Sequence, residues 1–305
     1  MQQVDDQQLR TDIGVVNYYD PLRSVVMCLG HTALDAALLA RRQAAEDVLR
    51  RKVATNRFEP YDLGRVREQQ MGVAEMLAAH GVNVLWAEPI EGCTVQQYTR
   101  DIGFVIGDHF YAARSQREER QRETMGLRPI LAGDPRVVYL EAGRIEGGDV
   151  IPEERFILVG LGEETSTLGV ESLRWALEQR GESRPIKLLE FTGEGVIHAD
   201  TKITVIAPGI AIIDPTAFTA ATLSFIREHY DTIEATPDEV LDVQVNTLVL
   251  GPDRLAMSAT AHRLAEAVST KGIEPVLIDV DEITKLPGSL RCITLPLHRE
   301  RLNAR

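Results

Sequence analysis

Cysteine is scarce in this chain: 305 residues hold three, Cys28, Cys93 and Cys292. Three thiols so far apart supply neither a disulfide framework nor a zinc cluster, and a reducing cytoplasm is the expected setting. Basic residues are in deficit, 33 Lys and Arg against 46 Asp and Glu, for a net charge of −13. Such a field repels nucleic acid and anionic lipid and mildly favours a cationic ligand. No apolar run approaches the ~20 residues that a membrane span needs. The opening MQQVDDQQLRTD has neither a basic segment nor an apolar core, so no secretory leader is expected. Low-complexity segments are absent. The stretches 115–135 and 234–242 look linker-like but are too short to separate domains, and one domain over 1–305 is expected.

What is present is a repeat. Asp101 opens DIGFVIGDHFYAA, Asp149 opens DVIPEERFILVG, Asp200 opens DTKITVIAPGIAIID and Asn246 opens NTLVLGPDRLAMS. Each is a polar residue, an apolar strand, a short turn and a second apolar strand, recurring about every fifty residues. A helical pattern follows the hairpins. In TLGVESLRWALEQRG, Leu168, Val170, Leu173, Ala176 and Leu177 are expected on one face, with Gly181 as the stop. Another strand follows each helix, as in IKLLEF and EPVLIDV. GVAEMLAAHG with VNVLWAEP has the same form earlier, and DPLRSVVMCLG could supply a degenerate first strand pair. The unit is ββαβ, four or five times over. Units that each open a strand with a polar side chain bring those side chains together when arranged about an axis. A turn cap would explain any one of them, but four in phase point to a shared site.

The strand mouths carry Arg100 and Asp101 (TRD), Glu146 and Asp149 (EGGD), His198 and Asp200 (HAD), Asn246, and Cys292 after Arg291 (GSLRCITLP). One thiol, one imidazole and several carboxylates are enough for a nucleophile, an acid/base and a cradle for a cation. Cys28 lies in a strand-like apolar run and reads as core, and Cys93 as a loop residue. Cys292 follows a turn beside Arg291, a cation that favours thiolate. His198 and Asp200, two apart, are expected on one face of an extended strand. His-x-Asp with nearby acids is also a metal pattern, but no second histidine stands at ligand spacing, and no metal is expected. In EGGD the glycines suit a turn or a close backbone approach.

These four motifs, in this order, resemble the guanidino-group modifying enzymes of the pentein fold: arginine deiminases, dimethylargininases, agmatine deiminases, arginine dihydrolases and amidinotransferases. The resemblance implies a five-bladed α/β propeller of pseudo-symmetric ββαβ repeats. It implies that Cys292 is the nucleophile, that His198 moves protons and that Glu146 orients His198. Asp101 and Asp200 would hold the guanidinium, with Asp149, Arg100 and Asn246 lining or supporting the pocket. The implied activity is hydrolysis of arginine or a related guanidine or amidine through a covalent Cys adduct, with amidinotransfer to an amine as the alternative. No cofactor, nucleic acid or membrane is implied; the partner is a small guanidino substrate, and a homo-oligomer is compatible. Asp200 points to unsubstituted guanidinium ends. Members acting on amino acids usually have a carboxylate-binding Arg soon after EGGD, whereas the matching run GLGEETST has Glu164. Arg114, Arg117 and Arg120 stand in a charged stretch that reads as a solvated face, an anion site or a lid over the pocket.

Overall fold

Long apolar runs broken by short turns build small sheets. The computed structural model describes residues 11–32 and 36–302. Most of the opening segment, with the expectation that it is no leader, lies outside the described residues. In chain order the strands are β1 (Leu22–Met27), β2 (Asn83–Trp86), β3 (Gly103–Ile106), β4 (His109–Ala112), β5 (Val137–Tyr139), β6 (Val150–Pro152), β7 (Ile157–Leu161) and β8 (Ile186–Glu190). They continue as β9 (Ile203–Ala207), β10 (Ile210–Ile213), β11 (Asp231–Glu234), β12 (Leu248–Gly251), β13 (Arg254–Ser258), β14 (Glu274–Ile278) and β15 (Leu295–Arg299).

Five three-stranded sheets result, ordered β3-β4-β5, β6-β7-β8, β9-β10-β11, β12-β13-β14 and β15-β1-β2. In each, the first strand is antiparallel to the middle one and the last is parallel to it. The parallel pair requires a crossover, which the helices Thr167–Glu178, Ala220–His229 and His262–Ser269 provide in three sheets. This is the expected ββαβ propeller, with one correction. DPLRSVVMCLG gives a single strand, β1, because its six-residue run contains no turn. Its antiparallel partner β15 comes from the other end of the chain and closes the ring.

Burial gives the radial order. β3, β6, β9 and β12 are buried throughout, whereas β2, β5, β11 and β14 each expose residues. The continuous apolar runs therefore face the axis and the alternating ones the rim. In the helix Thr167–Glu178, Ser166 caps the start by accepting from Gly169 N, and Val170, Leu173, Ala176 and Leu177 are buried. Leu168, expected with them, is 59% exposed. Two residues before Val170, it stands roughly 200° around the helix and faces out. Among the described residues no helix is long and apolar enough to cross a membrane.

Candidate active site

The polar residues at the inner strand mouths sit in a shared local geometry. Asp101, Asp149 and Asp200 each lie in a 3-10 turn, Thr99–Ile102, Gly147–Asp149 and Ala199–Thr201, just before β3, β6 and β9. His198 is the residue preceding the third turn, so His198 and Asp200 are not on one face of a strand as expected. The turn rotates them apart and lets each meet a different neighbour. Close approach explains the glycines of EGGD. A Cβ on Gly147 would come 2.1 Å from the Arg100 carbonyl oxygen, and one on Gly148 would come 2.6 Å from His198 Cγ.

His198 is buried between two carboxylates. Its Nε2 is 3.0 Å from Glu146 Oε2, and its Nδ1 is 3.4 Å from Asp101 Oδ1. Burial alone would lower the imidazole pKa, but Asp101 and the Glu146 hydrogen bond outweigh it and raise it well above its ordinary value. Against the pull of burial, the His198 hydrogen bond and Arg120 hold Glu146 well below the ordinary carboxylate range. Burial pushes Asp101 up to about 6 even with His198 and Arg120 beside it.

Cys292 lies in the turn before β15, with its Sγ 3.7 and 3.8 Å from the two oxygens of Asp200. Burial first, then Asp200 and Asp101, drives the thiol well above its ordinary pKa. This corrects the expectation that Arg291 favours thiolate. The Arg291 guanidinium instead points to Asp200, Nε to Oδ2 at 3.6 Å, and stacks 4.6 Å from the centre of the Tyr18 ring.

Asn246 ties the two turns together. Its Oδ1 accepts from Ser289 N and Cys292 N at 3.0 and 3.1 Å, and its Nδ2 donates to the Asp200 carbonyl at 2.9 Å. Arg100 lies beneath the site, 4.9 Å from the Tyr18 ring centre, with Nε donating to the Arg291 carbonyl at 3.3 Å. Asp149 accepts from Ala199 N at 2.8 Å and so braces the His198 turn. Asp101, Glu146, His198, Asp200 and Cys292 thus form one buried cluster, while Asn246, Arg100 and Asp149 support it from behind.

The charged stretch after β4 is not simply a solvated face. The helix Glu118–Glu123 turns Arg120 inward, where it donates to Asp101 Oδ2 at 2.6 Å and to Glu123 Oε2 at 2.5 Å. Arg117 pairs with Glu164, and Arg114 N donates to the Ile145 carbonyl at 2.9 Å. This strap therefore closes over Asp101. The sequence reads Arg120 with its neighbours as a solvated face, an anion site or a lid; the signal for its place is the Arg120/Glu123 spacing of three in a helix. Asp101, Glu146 and His198 hold ligand atoms close enough together for a metal ion. Arg120 already sets a cation against Asp101, however, and His198 is bonded to Glu146, so the donors are engaged with each other.

Known proteins resemble this chain throughout. The family model described as arginine deiminase matches residues 89–231. The chain is 30% identical over 241 residues to the N(G),N(G)-dimethylarginine dimethylaminohydrolase of Streptomyces coelicolor, covering 78% of this chain and 88% of that protein. It is also 30% identical over 234 residues to the protein YkgA of Bacillus subtilis, covering 76% and 80%. In fold it matches an amidinotransferase of the saxitoxin pathway from Microseira wollei, with a TM-score of 0.78, 16% identity, and 95% and 98% of the two chains covered.

Proposed function

The chain belongs to the guanidino-group modifying enzymes of the pentein superfamily, and from that premise we propose that it hydrolyses a small guanidino compound of the arginine class through a covalent adduct on Cys292. The observation that carries the reading is the thiol set 3.7 and 3.8 Å from the buried Asp200 carboxylate, on the turn that also carries His198. The carboxylates of Asp101 and Asp200 are both buried at the site, and a planar cation with paired N–H donors suits them.

A guanidinium bridging Asp101 and Asp200 brings its central carbon to Cys292. The incoming charge lowers the thiol pKa, and the thiol passes its proton to solvent water as the cation enters. Thiolate attack forms the S–C bond. The His198 imidazolium gives its proton to the departing nitrogen, and the C–N bond breaks. The neutral imidazole then takes a proton from water, whose oxygen attacks the same carbon. The S–C bond breaks and the thiolate leaves. In sum a guanidinium and water give a ureido product and an ammonium ion. Glu146 keeps His198 oriented and cationic. Asn246, Asp149 and Arg100 are positioning residues, and the Arg120 strap excludes water.

The test is ammonia release from a panel of arginine-class guanidino compounds by the wild type, Cys292→Ser and His198→Ala. Cys292→Ser is expected to be inactive and His198→Ala to lose on the order of 10²–10⁴-fold. Near wild-type turnover by either variant overturns the mechanism.

A further inference from the structure

We propose that a small monovalent anion of the halide class binds in the core of the propeller, enclosed by Arg100, Arg291, Arg299 and the hydroxyl of Tyr18. The proposed reaction uses neither Arg299 nor Tyr18. The three guanidinium carbons lie 4.9, 4.6 and 5.8 Å from the centre of the one Tyr18 ring. All four residues are at most 4% exposed. The ring's negative face attracts these cations but offers their N–H groups no lone pair. Arg100 immediately precedes Asp101, Arg291 immediately precedes Cys292, and Arg299 ends β15. An anion held by all three joins the turn of Asp101 to the turn of Cys292.

Some of the donors are used. Arg299 donates to the carbonyls of Asp20 and Val249 at 2.5 and 2.8 Å, and Arg100 Nε to that of Arg291 at 3.3 Å. Arg100 Nη1, Arg291 Nε and Nη2, Arg299 Nε and the Tyr18 hydroxyl are buried and have no acceptor among the described residues. Arg291 Nε comes only within 3.6 Å of Asp200 Oδ2, beyond hydrogen-bond reach. Buried donors on three like charges call for an acceptor and for negative charge; an anion supplies both, water only the first. The cations press on one another: burial and then Arg100 pull Arg291 down to about 10 and Arg299 down to about 9. Three carboxylates act on the set. Asp200 faces Cys292 and, in the proposed reaction, the substrate. Asp20 accepts from Asn17 Nδ2 at 3.0 Å. Glu153 Oε1 also lacks a partner, but burial pushes that carboxyl up to about 8 against the pull of Arg291. Near neutral pH Glu153 is therefore protonated and no counter-charge. Glu153 and Tyr19 line a cavity of about 200 Å³ with the turns that follow β6 and β9, at the strand ends opposite the active site. It offers an ion a route toward Arg291. Every unpartnered nitrogen is shut off from solvent, so the ligand is a single small ion and not the head of a longer molecule.

The test is crystallographic and thermal, and neither readout involves turnover, so it stands apart from the proposed reaction. Crystals grown with bromide in place of chloride are expected to give an anomalous peak in contact with Arg291 Nη2 and Arg299 Nε. At constant ionic strength, replacing gluconate by chloride is expected to raise the Tm by about 2–4 °C at a chloride concentration roughly tenfold above its Kd. Tyr18→Phe keeps the ring and removes one donor, and is expected to need ~10-fold more chloride for the same shift. Arg299→Met is expected to lose the shift. If Arg299→Met does not fold, the bromide map and Tyr18→Phe still decide. Water or the Glu153 carboxylate at the arginines, with no bromide there, overturns the proposal. So does a Tm that chloride leaves unmoved, or a shift that Tyr18→Phe keeps at unchanged chloride. A bromide peak without any chloride shift is an adventitious ion only and overturns it likewise.

Discussion

Asp149 sits fully buried behind His198, with one oxygen on Ala199 N at 2.8 Å and the other accepting no hydrogen bond. Burial pushes its carboxyl from 3.8 up to about 7, against the opposing pull of His198 and the Thr165 hydroxyl. Between those two values the folded protein holds a proton that the unfolded chain has released. Stability from this group is therefore present at low pH and falls as pH rises through the window. At ~1.4 kcal/mol per pKa unit, roughly three units give about 4 kcal/mol lost by about pH 8 relative to about pH 4. Asp149→Asn keeps the shape and the acceptor for Ala199 N but never ionises. His198 keeps Asp101 and Glu146 in the variant, so its own contribution changes less. Urea unfolding of both proteins at about pH 5 and about pH 8 is the assay. The variant is expected to gain about 2–4 kcal/mol on the wild type between the two pH values. Parallel pH dependence in the two proteins, or a wild type that gains on the variant as pH rises, refutes the reasoning.

Arg120→Met removes the buried partner of both Asp101 and Glu123. Taking one member from such a cluster costs about 3–5 kcal/mol, read by urea unfolding near neutral pH, and the loss should shrink at about pH 5 as the stranded carboxyls bind protons. Asn246→Ala strands two buried N–H groups and one carbonyl. At ~1–3 kcal/mol for each, with water entering the gap, a loss of about 3 kcal/mol is expected, together with a slower reaction of Cys292 with chloroacetamidine. A stability within about 0.5 kcal/mol of the wild type would sink either statement.

The repeat was legible because each blade opens with a polar residue ahead of an unbroken apolar run, and that pattern survives without any contact information. TRD, EGGD, HAD and the turn before Cys292 converge because equivalent turns of a ring face the same axis. Other features depend on contacts that local sequence does not carry. β1 lacks a turn of its own, and its partner β15 lies some 270 residues away in the chain. Arg120 is one of several charged residues in a stretch that reads as solvated, and only the fold of its short helix onto Asp101 separates it from Arg122. Adjacency in sequence misled at Cys292. Arg291 is its neighbour, but its guanidinium turns to Asp200 and the Tyr18 ring, and the thiol is left against the same carboxylate. Asn246 was legible as part of the set but not as a brace, because its three partners come from two distant turns.

The most direct measurement is mass spectrometry of the protein quenched during turnover of a guanidino compound, followed by peptide mapping. An amidino adduct on Cys292 that forms and decays with turnover is the expected result. Steady turnover with Cys292 unmodified, or an adduct that maps to Cys28 or Cys93, would contradict the proposal that a buried thiol at the axis attacks a cation held by Asp101 and Asp200.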